Sequence, residues 1–234
     1  MKTSTKLILT ALIIMFTVSF SFVLFDIIEP RITGNALVGT TLIITDINDL
    51  DCDINFEPGW NLVSFPCMSD EYEMEQFFNY SINDTNSSTF YDTIKYYYVL
   101  DKSDPWKSYK HDLPNWTVQD YVTVSRSKGY WIYVQNSSTF FFNGTLRTPT
   151  SNDLKEGWNL IGYPSLNSKT MNDTFGELIP DFDFVEVYNV TDTSDPWKQW
   201  TWNSSLTSNQ DVNYTNKFLG YWIFMHENLT LTII

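Results

Sequence analysis

The chain holds only two histidines, His111 and His226, and neither sits in a ligand-type spacing or beside a candidate nucleophile. It has no glycine-rich phosphate loop and no Gly-x-Ser-x-Gly elbow, so nucleotide binding and hydrolase nucleophiles have no local signature. Carboxylates are plentiful, and a glycosidase needs only two of them on facing elements. The acids that stand out are Asp101 and Asp104, matched by Asp192 and Asp195. Asp104 and Asp195 each precede a proline, a context that favours an Asx-type turn at a strand tip over a calcium ligand or a catalytic acid. Asp46, Asn48, Asp49, Asp51 and Asp53 offer hard oxygen ligands, but the run lacks the central Gly and terminal Glu of an EF-hand and reads as a solvated linker. No catalytic residue, metal site or cofactor is expected.

Aromatic side chains are the remaining source of binding chemistry, at 17% of residues. Exposed indoles and phenols stack on sugar faces. Trp116, Trp200 and Trp202 have no counterpart elsewhere in the chain and are the binding candidates, with Tyr96, Tyr97, Tyr98 and Tyr109 nearby. Trp60, Trp106 and Trp131 return as Trp158, Trp197 and Trp222, and this recurrence reads as shared core anchors.

What positions these residues is an internal repeat. Gly59-Trp60-Asn61-Leu62-Val63-Ser64-Phe65-Pro66 returns as Gly157-Trp158-Asn159-Leu160-Ile161-Gly162-Tyr163-Pro164. Ser103-Asp104-Pro105-Trp106-Lys107 returns at Ser194 to Lys198, and Gly129-Tyr130-Trp131-Ile132 at Gly220 to Ile223. The first block recurs after 98 residues and the others after 91, so the first copy carries a longer loop, placed over residues 79–89. Alternation and β-branched or aromatic runs predict strands over 60–65, 94–100, 130–134 and 139–142, with a further strand over 36–44. A short helix is expected over 71–80, capped by Ser69 or Asp70, with Met74, Phe77 and Phe78 on one stripe. In the second copy Thr174 and Glu177 read as the capping pair. The fold class is mainly β (α+β): two tandem homologous β-rich modules, 55–146 and 153–234, each with one short helix. Segment 1–29 is a signal anchor or signal peptide, and 30–54 a juxtamembrane segment.

The three blocks in this order resemble a repeat module common in archaeal, and some bacterial, cell-surface proteins. The resemblance covers 57–145 and 155–234 and implies an extracellular location with a structural or adhesive role. It supplies no catalytic residues, and the sequence departs from the pattern at Gly162 and in the long first-copy loop.

Location follows from independent signals. Lys2 and Lys6 precede an apolar run over residues 7–25, and Asp26 and Glu29 follow it. Nineteen helical residues at ~1.5 Å each reach about 28 Å, close to the hydrocarbon thickness of a bilayer. The run fits an uncleaved anchor better than a cleaved signal, and the flanking charges place the rest of the chain outside. Asn-x-Ser/Thr sequons at Asn79, Asn83, Asn86, Asn115, Asn136, Asn143, Asn172, Asn189, Asn203, Asn213 and Asn228 exceed what composition alone supplies, and point to a glycoprotein. Cys52 and Cys67 read as one disulfide in an oxidising compartment. The formal net charge of −14 argues against nucleic acid and anionic lipid. The expected function is a non-enzymatic extracytoplasmic surface glycoprotein, structural or adhesive. It would be held in the membrane by its N-terminal helix and meet surface glycans or other surface proteins. A carbohydrate-binding module protein and a secreted glycan-active enzyme are the alternatives.

Overall fold

Strand alternation decides the architecture. In a strand, successive side chains point to opposite faces, and here both faces of each central strand are apolar. The computed structural model describes residues 50–68, 71–80, 91–110, 113–114, 116–120, 123–203 and 211–234. The expected membrane span (7–25) and the strand expected over 36–44 lie outside them. Among the described residues no helix is long and apolar enough to cross a membrane.

The first copy runs β1 (Leu50–Phe56), β2 (Gly59–Val63), β3 (Tyr72–Glu73), α1 (Met74–Tyr80), β4 (Tyr91–Tyr97), β5 (Trp106–Lys110), β6 (Thr123–Val124), β7 (Tyr130–Val134) and β8 (Ser138–Gly144). The second runs β9 (Thr150–Leu154), β10 (Gly157–Gly162), α2 (Met171–Phe175), a 3-10 turn at Gly176–Leu178, β11 (Phe182–Tyr188), β12 (Trp197–Trp200), β13 (Gly220–Met225) and β14 (Leu229–Ile233). Each copy builds an antiparallel four-stranded sheet of the same order, β2-β7-β4-β5 and β10-β13-β11-β12. Each adds a two-stranded sheet, β1-β8 and β9-β14. The protein is mainly β. The end of the acidic run read as a solvated linker (46–53) and the short stretch between the expected modules 55–146 and 153–234 instead contribute to the outer strands β1 and β9.

Each four-stranded sheet lays one face on its own core. In the first copy Val63, Phe65, Ile94, Tyr96, Ile132 and Val134 meet Ile54, Phe56, Phe140 and Phe142 of the small sheet and Met74, Phe77 and Phe78 of α1. In the second, Ile161, Tyr163, Val185, Val187 and Ile223 meet Leu154, Leu231 and Ile233 with Met171 and Phe175 of α2. Cys52 on β1 is bonded to Cys67 just beyond β2, which ties the small sheet to the large one. Such a bond fits an oxidising, extracytoplasmic setting.

Local differences from the expectations have local causes. Residues expected to open α1 form β3, because Tyr72 and Glu73 pair with Val124 and Thr123. The N-cap of α2 is Thr170, whose Oγ1 accepts from the Asp173 amide at 3.0 Å. Thr174 is buried inside that helix, and Glu177 instead accepts from the Thr232 amide at 2.9 Å. Strand β4 begins at Tyr91 and ends at Tyr97, three residues earlier at each end than the β-branched run suggests.

The recurring Gly-Trp-Asn block is a turn device. Asn61 Oδ1 accepts from the Glu57 amide at 3.1 Å, and its Nδ2 donates to the carbonyls of Glu57 and Gly59 at 2.8 and 3.1 Å. Asn159 repeats this on Lys155 and Gly157. Gly59 and Gly157 both take positive φ, 105° and 96°, a conformation that side chains with a Cβ avoid.

Candidate functional site

The other face of each sheet points toward the opposite copy, and residues 48–234 are accordingly one compact unit. The two copies are stitched by reciprocal backbone contacts. Val63 bridges Leu219, and Ile161 bridges Lys128. The Ser64 amide donates to Phe218 O at 2.8 Å, and the Gly162 amide to Ser127 O at 2.9 Å. Contacts that exchange in this way are those of a two-fold, isologous interface, here between two parts of one chain.

Position 162 shows why the repeat breaks its pattern there. Ser64 Oγ donates to Leu219 O at 2.8 Å and accepts from the Tyr163 amide at 3.2 Å. A Cβ on Gly162 would collide with the Arg126 carbonyl oxygen and stand 2.7 Å from Lys128 O, with Ser64 Cβ next at 3.1 Å. The backbone of residues 126–128 leaves no room for a side chain at position 162, so one copy keeps the hydroxyl and the other gives up its side chain.

Leu62, Leu160 and Trp222 form a small core between the copies. Above it opens a cleft of about 820 Å³. Its ten lining residues are five equivalent pairs: Trp60 and Trp158, Lys95 and Glu186, Tyr97 and Tyr188, Trp106 and Trp197, Trp131 and Trp222. Eight are aromatic. Trp131 packs edge-on against Tyr188 and Trp197 of the second copy, at centroid distances of 5.0 and 5.7 Å. Trp222 does the same against Tyr97 and Trp106 of the first, at 5.1 and 5.7 Å. Each aromatic cluster therefore contains rings from both copies. Trp106 and Trp197 form the rim, 41% and 43% exposed.

The charged pair breaks the symmetry. Lys95 Nζ lies over the Trp60 ring, 5.4 Å from its centroid, a cation–π contact. Glu186 stands at the matching place on β11, directly across from Trp222 and Gln199. Burial among these rings pushes its carboxyl above the usual carboxylate range.

Of the sequence candidates, Tyr97 lines the cleft and the three tryptophans fall elsewhere. Trp116 is 83% exposed in the segment after β5, away from the residues that line the cleft. Trp200 is three residues beyond Trp197 on β12, so alternation turns it to the opposite face. There it is buried and stacks on Phe182 at 5.9 Å. Trp202 packs against the second core and donates from Nε1 to Phe182 O at 2.6 Å. The recurring tryptophans, read as core anchors, instead line the cleft, because they sit on the strand faces that point away from each copy's own core. Tyr97 and Tyr188 recur at the same 91-residue spacing, and together with alternation they were the available signal for this face.

The duplicated aspartates form the tips of the β4-β5 and β11-β12 hairpins. The Asx acceptor is the first aspartate of each set, Asp101 or Asp192, and not the one before proline. Asp101 Oδ1 accepts from the amide and hydroxyl of Ser103 and the amide of Asp104, at 3.2, 2.7 and 3.1 Å. Asp192 does the same with Ser194 and Asp195. Lys107 reaches Asp101 and Asp104 at 2.8 and 3.2 Å, and Lys198 reaches Asp192 and Asp195 at 2.8 and 3.3 Å. These hydrogen bonds hold Asp101 and Asp192 well below the usual carboxylate range, and Lys107 is pushed up to about 12. His226 pairs with Asp183 at 3.0 Å; His111 lies outside the described residues. Among the described residues, no group of three or more His, Cys, Asp or Glu could hold a metal ion.

Of the sequon asparagines, Asn136, Asn172, Asn189, Asn213 and Asn228 are exposed, and Asn203 is half-buried. Asn83, Asn86 and Asn115 lie outside the described residues. Compared with known protein families, curated proteins and solved structures, the chain matches none.

Proposed function

We propose that this protein is a non-enzymatic, extracytoplasmic surface glycoprotein with an adhesive role, whose two tandem modules jointly build a carbohydrate-binding cleft. The observation that carries the reading is the wall of eight aromatic side chains shared by the two copies. Indole and phenol rings are rigid and amphipathic, and they accept the C–H face of a pyranose at little conformational cost. A volume of about 820 Å³ admits several sugar rings and is in the ordinary range of ligand sites. Glu186 is the one carboxylate among the lining residues described, whereas hydrolysis of a glycoside uses two. That favours binding over cleavage. The disulfide and the sequons fit an exported protein, as does the resemblance of the repeat to surface-protein modules.

The test is a glycan array and calorimetry on the full chain produced by a secretory route, beside a Trp106→Ala/Trp197→Ala variant. Each rim ring is worth about 1 kcal/mol in stacking, so the double variant should bind roughly thirtyfold more weakly. Trp116→Ala should bind as the parent does. A folded sample that retains no glycan, or one whose binding is indifferent to the rim tryptophans, rules the reading out.

A further inference from the structure

We infer that the glycan taken by the cleft carries positive charge: an amino sugar with a free ammonium group, received by Glu186 and the indoles around it. The inference rests on the carbohydrate reading above and specifies its substrate class.

The geometry and charge of the cleft carry it. Glu186 is half-buried in the cleft wall and makes no hydrogen bond or ion pair among the described residues. Lys95 lines the same cleft, yet no ion pair joins the two, and the lysine already lies over the Trp60 ring. A carboxylate taken out of water without a partner is costly, and a ligand ammonium is the group that best relieves it. Its surroundings add to this preference, because the cleft is lined by aromatic rings whose faces attract cations, as Trp60 already does with Lys95. A formal net charge of −14 draws cationic glycans toward the surface and repels sulfated or uronic ones. Burial raises the Glu186 carboxyl above its ordinary range, and an incoming ammonium would bring it back down.

Lys95 then acts as a hydrogen-bond donor to ring or hydroxyl oxygens on the other wall. A neutral sugar can stack on the same rings, but it leaves Glu186 without a counter-charge. The site therefore discriminates at one charged contact on a shared stacking platform.

The experiment is calorimetric titration of the full chain and of Glu186→Gln with two probes: the β-1,4-linked tetramer of glucosamine with free amines, and its fully N-acetylated form. The expected result is at least tenfold tighter binding of the free-amine tetramer, with the margin shrinking as salt rises. Glu186→Gln should abolish the margin by weakening binding of the free-amine tetramer at least tenfold. Equal affinities, or a margin that survives in Glu186→Gln, would overturn the inference while leaving the carbohydrate reading in place. Failure of both tetramers to bind would overturn the inference, and failure across the glycan array as well would overturn the carbohydrate reading.

Discussion

Asn152 is the clearest local misfit in the fold, and replacing it should stabilise the protein. The residue lies on β9 opposite Leu231, is 4% exposed, and alternates with buried Thr150 and Leu154. Neither its Nδ2 nor its Oδ1 finds a hydrogen-bond partner among the described residues. The matching residue of the first copy, on β1, is Ile54, which is equally buried in the first core. Leaving a buried amide unsatisfied costs about 1–3 kcal/mol. Leucine has nearly the same shape as asparagine, so Asn152→Leu removes that cost without overpacking, for a net gain of about 2 kcal/mol. In a protein of this size that raises Tm by roughly 4–8 °C. Near-UV circular dichroism melts of the full chain would measure it. Asn152→Asp is the opposing control, since an unpaired charge there should lower Tm by more than the leucine raises it. A leucine variant that melts at or below the parent temperature would refute the reasoning and mean that the amide is satisfied.

Other consequences are as direct. Gly162→Ser should lower Tm by several degrees, as overpacking costs about 1–3 kcal/mol; because the closest clashes are with the backbone carbonyls of Arg126 and Lys128, adding Ser64→Gly should recover less than half of the loss, and a double-mutant cycle reads the coupling. Cys52→Ser/Cys67→Ser should cost about 3 kcal/mol, the value for a closed loop of this length, seen as a lower denaturant midpoint that matches the reduced parent. Asp101 and Asp192 have lowered folded-state values, so their contribution is present above the unfolded aspartate value near 3.9 and is lost only as pH falls through the lower folded value. Amide signals of Asp104 and Asp195 should therefore keep their native shifts down to about pH 3, and early loss near pH 4 would contradict the hairpin-tip pairing. Asp101→Asn should let Lys107 titrate nearer the ordinary lysine value, readable by NMR of Nζ.

How much of this was legible depended on the range of the interactions involved. The repeat, the β-rich class, the disulfide and most strands follow from local pattern: the Gly-Trp-Asn block recurs in order with the other two, and β-branched and aromatic runs mark strands. Strand ends, the start of α1 and the cap of α2 depended on pairings tens of residues away, such as Tyr72 with Val124, and were missed; Ser69 and Asp70, the expected caps of α1, lie outside the described residues. The cleft was hidden for a stronger reason. Trp60 and Trp131 lie on a face that a single copy would expose, and their recurrence alone reads as core anchoring, while Tyr97 is read as an exposed aromatic. Only the second copy, placed face to face with the first, buries part of that surface and leaves the rest as a site.

That arrangement also explains where the two copies differ. In a dimer of identical chains, any residue near the two-fold axis meets its own double, and any residue in a shared cleft appears twice. Fusion into one chain removes this constraint. Ser64 can face Gly162 across the axis, and Lys95 can oppose Glu186 across the cleft, while Trp60, Tyr97, Trp106 and Trp131 keep their doubles. The aromatic walls hold the near-symmetry of the fold, and the charged pair gives the cleft a direction. On the proposed carbohydrate reading, an extended glycan with a distinct reducing end, which would have two equivalent poses between identical copies, would have one preferred pose here, set by which of its residues meets Glu186.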